Sequence, residues 1–427
     1  MVIHRVSRSV ARVAGRVPLR TVLIVPFVLQ IVGTVGLVGY LSFKSGQDAV
    51  EELASQLMQE TGNRIVQNLE RYFKAPKDVV RENQTAIKLG ILDLQNQSLM
   101  ETYFVEQLKI HTDVSGVMIT TQSKDFLAVG HPQPNQFIIR QRNRQTGGLE
   151  NYVADLQGNR LYLQDTLPNY NPHADPPTNP WYGTAKADAD GFWQPVVSLV
   201  RGKDYPILMM AYFLGFADSQ GEFGGVLSTS VHLDRLGEFL RRLRIGKTGQ
   251  AFIIDEKGLL IATSTTELPF RQNLPIEPKE TLPPETLQLA ARNSQNLVTR
   301  AAAAWSRNQR NSPDNDSHPR GFCLQNEQYF GHVIPFKLDD QISWTIVVVV
   351  PESDFMAHIH ANTRMTILLC IAALVGSIFI SILTARWIAK PILRLNAAAK
   401  DIAKGEWEKT VDVNRFDEIG QLSQSFN

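Results

Sequence analysis

Residues 244–264 read RIGKTGQAFIIDEKGLLIATS, and the fold turns on how the first half of this stretch is taken. Gly246, Lys247 and Thr248 carry the GK[ST] of a phosphate-binding loop, but the glycine such a loop needs five residues earlier is Arg241, so its phosphate cradle is missing. GKTG is therefore a turn before a strand. Two short strands follow, QAFIID and LLIATS, separated by EKG. Strands this short, joined this closely, belong to a mostly antiparallel sheet.

Working outward, the pattern repeats on both sides. Downstream lies a helical and then polar insert, residues 285–319, which ends in the loop NSPDNDSHP; the strands YFGHVIPF and SWTIVVVVP come next. Upstream, the helical link LDRLGEFLRRLRIG is preceded by a longer series of strand-like runs: VSGVMIT, DFLAVG, QFIIRQ, NRLYLQ, WQPVVSLV, PILMMAYFLGF and GGVLSTSVHL. The sequence thus predicts two consecutive α+β domains, residues 75–237 and 238–360. Ahead of them, Val50, Leu53, Leu57, Ile65, Leu69 and Phe73 recur at helical spacing, which predicts a long helix over residues 44–74.

Further out still lie two uncharged apolar stretches, Thr21–Phe43 and Met365–Ala385. Each has about the 20 residues that a helix needs to cross a bilayer. The first exceeds the apolar core of a signal peptide and has no small-residue cleavage site after it, so it reads as an anchor. Residues 1–20 hold Arg5, Arg8, Arg12, Arg16 and Arg20 and no acid, and Arg386, Lys390 and Arg394 follow the second stretch. By the positive-inside rule both termini are cytoplasmic and residues 44–364 are outside. Two spans with Gln30 as the one strongly polar group argue against a transporter.

Composition narrows the function. With 427 residues, 43% apolar, 20% charged and a net charge of +1, the chain suggests neither disorder nor a nucleic-acid partner. Cys323 lies outside and Cys370 mid-membrane, which excludes a disulfide between them or a cysteine metal site. His358 and His360, two apart, face different sides of a helix and bring no carboxylates, so no metal site is expected. No G-x-S-x-G or H-E-x-x-H motif occurs, and neither a catalytic residue nor a cofactor is expected. Trp181, Tyr182 and Trp193 either pack the sheet or wall a pocket, and Lys186, Arg201 and Lys203 stand near them as candidate cations or as solvated surface.

After the second span, Ile388, Ile392, Leu395, Ala399 and Ile402 alternate four and three apart, a seam that requires partner helices, and Gly405 is placed to end the helix. Ile419, Leu422 and Phe426 begin a second such seam that stops at Asn427.

NPWYGTAKADADGFWQPVVSL, RIGKTGQAFIIDEKGLLIATS and YFGHVIPFKLDDQISWTIVVVVPESDF, in that order, resemble the hallmarks of the double Cache (dCache) sensor domain. The resemblance covers most of residues 45–360. It implies an α+β exterior of two tandem PAS-like modules behind a long N-terminal helix, flanked by two transmembrane helices. The distal module would take the ligand and the proximal one transmit. Residues 386–427 resemble a HAMP relay domain, with its early proline at Pro391, seam residues Ile392 and Leu395, and a DEIG turn that includes Glu418, Ile419 and Gly420. HAMP domains are parallel four-helix bundles from two chains, which implies a homodimer. A HAMP second helix normally runs several turns past its glutamate, so the resemblance also implies an output beyond Asn427: a histidine kinase, a chemoreceptor coiled coil or a nucleotide cyclase.

Members of the family that bind amino acids place an arginine two residues before a Trp-Tyr pair, with a tyrosine and an aspartate further along. Trp181 and Tyr182 match the pair, but Asn179 stands at the arginine position, Pro195–Val197 where the tyrosine belongs, and Ser230 at or beside the aspartate. The expected ligand-binding residues are Asn179, Trp181, Tyr182 and Ser230, and the expected ligand is less charged than an amino acid. The alternative is an exterior that binds a periplasmic protein and no small molecule.

Overall fold

The structure is a computed structural model, described for residues 19–133, 135–174, 181–188, 190–198, 206–218, 220–271, 284–310, 320–404 and 416–426. The chain divides into two compact units: Glu52–Phe355, and the segments up to Glu51 and from Met356 onward.

The second unit contains the apolar stretches. α1 (Leu19–Lys88) and α7 (Ser353–Ile402) each hold a window apolar enough to cross a membrane, with mean hydropathy 2.0 and 2.7. Leu29, Leu37, Tyr40, Leu369, Phe379 and Ile380 point outward along these stretches, a surface suited to hydrocarbon rather than water. Beyond the second span α7 continues through Pro391, and Ile419 of α8 (Glu418–Phe426) packs on Leu395 and Ala398. The Gly420 amide donates to Asp417 Oδ1 at 3.1 Å and fixes the start of α8. Ile392, also on the expected seam, is partly exposed.

In the Glu52–Phe355 unit, α1 buries Ala54, Met58, Ile65, Leu69, Phe73, Val80 and Asn83, one stripe at three- and four-residue spacing. Read from the sequence as ending at residue 74, this helix runs on to Lys88. Pro76 does not end it, because Val79, Val80 and Ala86 beyond it are buried and hold the turns that follow. α2 (Gln97–Ile110) lies beside it; the Asn83 and Gln107 side-chain amides exchange hydrogen bonds of 3.0 and 2.9 Å.

Two antiparallel sheets pack on these helices, as the α+β reading requires. The larger consists of β1 (Gly116–Thr121), β2 (Phe126–Gln133), β3 (Gln136–Arg142), β4 (Leu149–Ala154), β5 (Arg160–Leu167), β6 (Phe192–Ser198), β7 (Ile207–Ala217) and β8 (Phe223–His232), in the order β5-β4-β3-β2-β1-β8-β7-β6. α3 (Trp181–Ala187) precedes β6, and α4 (Asp234–Arg242) leads to the second sheet. That sheet consists of β9 (Gln250–Ile254), β10 (Leu260–Thr263), β11 (Arg320–Leu324), β12 (Glu327–Leu338) and β13 (Ile342–Pro351), in the order β10-β9-β13-β12-β11. Between β10 and β11 lie α5 (Pro284–Leu287), a 3₁₀ turn (Ala291–Asn293) and α6 (Leu297–Arg310). Numbered within each module, β2-β1-β8-β7-β6 and β10-β9-β13-β12-β11 have the same order. β3, β4 and β5 are an added meander on the larger sheet.

Because side chains alternate along a strand, each register row belongs to one face. Trp193, Tyr212, Thr229, Val117, Val129 and Ile139 form a row across β6, β7, β8, β1, β2 and β3. It faces α1: Thr229 Oγ1 donates to the Pro76 carbonyl at 2.8 Å, and the rings of Phe73 and Trp193 meet edge-on at 5.1 Å. The next row, Phe192, Phe213, Ser228, Met118, Ala128, Arg140 and Asn151, faces the other way.

The modules meet at the β12–β13 turn. Asp339 and Asp340 both have left-handed backbones, φ 51° and 54°, a conformation aspartate tolerates in tight hairpins. Asp339 pairs with Lys77 of α1 and accepts the Trp193 indole N–H at 3.2 Å. Gln341 accepts the Trp193 amide at 3.0 Å and donates to the Gly191 carbonyl at 3.2 Å. Phe73 lies between the Trp193 and Trp344 rings.

Candidate functional site

The face of the larger sheet turned away from α1 is hollow. Its central positions are small, with Gly116, Ala128, Gly130 and Ala211 in neighbouring strands, while Met118, Phe126, Ile138, Val196, Met209 and Phe213 stand around them. The result is a cavity of about 210 Å³, large enough for a small organic molecule. Its polar groups are the hydroxyls of Ser115, Ser228 and Ser230, with His131, His232 and Arg140. Ser115 Oγ donates to the Ser230 carbonyl at 2.8 Å and lies 3.3 Å from Ser230 Oγ. Burial lowers the pKa of His131, whose ring meets Phe137 edge-on at 4.9 Å, so it favours the neutral imidazole.

Of the expected ligand-binding residues, Ser230 lines this cavity. Trp181 and Tyr182 sit one layer behind it. Trp181 stacks on Phe213, a lining residue, at 5.4 Å; Tyr182 stacks on His173 at 4.0 Å and meets Phe223 edge-on at 5.9 Å. Together with Ala185, Ala211 and Val226 they form a packed cluster that supports one wall. Asn179, Arg201 and Lys203 lie outside the described residues. The Lys186 ammonium rests 5.7 Å from the centre of the Phe223 ring. Val196, of the Pro195–Val197 stretch, lines the cavity. Arg140 escaped the sequence reading, and the only signal for it was an arginine within the apolar strand QFIIRQ.

The other motif, GKTG, proves to be a nest of donors that is already filled. The amides of Lys247 and Thr248 donate to Asp354 Oδ2 at 2.6 and 2.8 Å, and Thr248 Oγ1 donates to Oδ1 at 3.0 Å. The anion in this loop is a carboxylate of the chain itself, in the first turn of α7.

Residues 46–359 match the Cache domain, and residues 383–427 match the HAMP domain. The chain belongs to the Cache domain family. Among curated relatives, the methyl-accepting chemotaxis protein McpB of Bacillus subtilis is 22% identical over 298 residues, which is 69% of this chain and 38% of McpB. TlpB of the same organism is 22% identical over 413 residues, 95% of this chain and 50% of TlpB. The chain therefore spans half or less of the length of these relatives. Among solved structures, the ligand-binding domain of the Pseudomonas aeruginosa amino-acid chemoreceptor PctC with GABA is 14% identical, with a TM-score of 0.40, over 69% of this chain and 99% of that one. The ligand-binding domain of Mlp24 with asparagine is 15% identical, with a TM-score of 0.41, over 73% and 99%. The double resemblance read from the sequence is thus shown at the level of family. The terms distal, for the module of the larger sheet, and proximal, for that of the smaller sheet, follow the expectation read from the sequence.

Proposed function

We propose that this chain is the input region of a two-pass receptor in a bacterial inner membrane. A small solute binds in the cavity of the distal Cache module, and the signal passes through the HAMP segment to a cytoplasmic output. The observation that carries this reading is strand β6. Val196 on it lines the cavity, and Trp193, three residues earlier, bonds to Asp339 and Gln341 of the proximal module. A solute that favours one position of β6 therefore favours one seating of the β12–β13 turn. Only a difference in affinity between the two arrangements can move the equilibrium, by about 1–3 kcal/mol in typical receptors.

In this reading both termini are cytoplasmic, residues 44–364 lie outside, and two copies pair through the HAMP seam, where Ile392 is still partly exposed in a single chain. The chemotaxis relatives favour a methyl-accepting signalling coiled coil as the output.

The test is a thermal-shift screen of the full chain in lipid nanodiscs against small solutes, run in parallel on Gly130→Val. A Cβ at Gly130 would make only ordinary contact, 3.6 Å from the Ser115 carbonyl, so valine narrows the cavity without breaking the strand. Solutes that raise the melting temperature of the native chain and not of the variant support the reading. A screen without any such solute sinks it.

A further inference from the structure

Among the described residues that line the cavity, Arg140 carries the one fixed charge and no Asp or Glu accompanies it. It stands on β3, in the register row of Ala128 and Met118, and it belongs to the strands added to the five-strand order. Every neighbouring arginine is engaged. Arg142 donates to the Tyr170 carbonyl at 3.1 Å, Arg144 grips Asp125 with bonds of 2.7 and 3.0 Å, and Arg160 pairs with Glu101. The Arg140 guanidinium makes no hydrogen bond or ion pair among the described residues; the residue is exposed and lines the cavity.

Asp165, two strands away in the same row, is bonded to Asn151 rather than to Arg140. Crowding by protein atoms lowers the pKa of Arg140, yet an arginine stays charged throughout the physiological range. Arg140 is nevertheless exposed, with Asp165 and Tyr170 as its electrostatic neighbours, so its hydrated guanidinium is open to an incoming anion.

Resting on the sensor reading above, we propose that the cavity takes a small organic acid with one carboxylate and no ammonium group, and that Arg140 binds the carboxylate. The guanidinium fork matches a carboxylate with two parallel N–H···O bonds. The apolar body of the acid lies against Met118, Phe126, Ile138 and Phe213, and the serine hydroxyls take its remaining polar atoms. A free amino acid would bring an ammonium group beside a fixed positive charge, with no carboxylate among the described lining residues to receive it. This charge comes from β3 and not from the position where the sequence reading looked for an arginine and found Asn179, and it replaces the expectation of a ligand less charged than an amino acid.

The test uses the full chain in nanodiscs and a plate of C2–C8 monocarboxylates, the matching primary amides, the matching α-amino acids and neutral sugars. Hits are titrated by calorimetry. The acids bind about 10- to 100-fold tighter than their amides, the amino acids no tighter than the amides, and Arg140→Gln brings acid and amide level while Arg140→Lys keeps part of the preference. The acid–amide comparison is made on the native chain, so it stands even if a variant folds poorly. Amides or amino acids that match the acids, or acid affinity unchanged in Arg140→Gln, overturn the assignment of Arg140; if those solutes still lose binding in Gly130→Val, the sensor reading survives. If nothing on the plate binds, both fall.

Discussion

The two Cache modules place their strands in the same order, yet they use the face turned away from α1 in opposite ways. In the proximal module it is packed solid. Phe252, Ile254, Leu260, Val347 and Val349 are buried there against Ala291 and Ala302, and Trp305 of α6 sits over Gly331, close enough to exclude a side chain. In the distal module the corresponding face has glycines and alanines at its centre, and three extra strands bring an arginine to its edge. A shared topology thus yields one module with room for a guest and one without. The difference lies in side-chain volume and in what is inserted between the second and third strands of the common order.

The contrast can be broken at its packed side first. Phe252→Ala opens a void in the proximal module and is expected to cost about 3–5 kcal/mol in denaturant unfolding, whereas Gly130→Val in the distal cavity shifts stability by less than about 1 kcal/mol. Equal losses would mean that the two faces are equally packed. The next effect is at the filled loop. Asp354→Asn keeps the shape but removes the charge that three donors address, and it should lower stability by about 1–3 kcal/mol while leaving solute affinity unchanged. An affinity change of tenfold or more in that variant would tie the loop to the cavity and not to the relay.

The smallest effect is on acid stability, and it sharpens the comparison because each module contributes a histidine whose pKa burial lowers. Burial lowers the pKa of His131 in the distal cavity, where Arg235 also opposes protonation, and that of His332 on β12. Both are neutral in the folded chain, and the unfolded chain takes up their protons near the ordinary histidine value of about 6.5. Their contribution is complete above that value and is lost as pH falls through it toward the lower folded pKa. The melting temperature should therefore drop between pH 7.5 and 5.5, and less so in His131→Gln and in His332→Gln. A profile that is flat or rises toward acid in the native chain contradicts the burial of both rings.

Much of this was legible in the residues, because short strands bounded by glycine and aspartate leave a local signature. Two strands were not. LENYVA (β4) alternates acid and amide with apolar residues too weakly, and RGFCL (β11) follows a polar loop directly. The α1 boundary was missed because the apolar residues counted for it stop at Phe73, whereas Val79, Val80 and Ala86 carry the buried stripe further. Arg140 was out of reach for another reason: which face a strand residue takes depends on register, and register is set by partners far along the chain. The Asp354 contact spans 107 positions, and no local spacing announces a pair so distant.

That contact has a mechanical meaning. Two backbone donors and one hydroxyl converge on a single carboxylate in the first turn of α7, and the loop that supplies them opens directly into β9. A joint made of one or two long side chains has slack, since each rotatable bond absorbs part of a displacement. Here the loop contributes mostly main chain and the helix a one-carbon stem, so play at the joint is small. The start of the helix is bolted to the sheet, and a motion of β9 arrives there with little lost on the way.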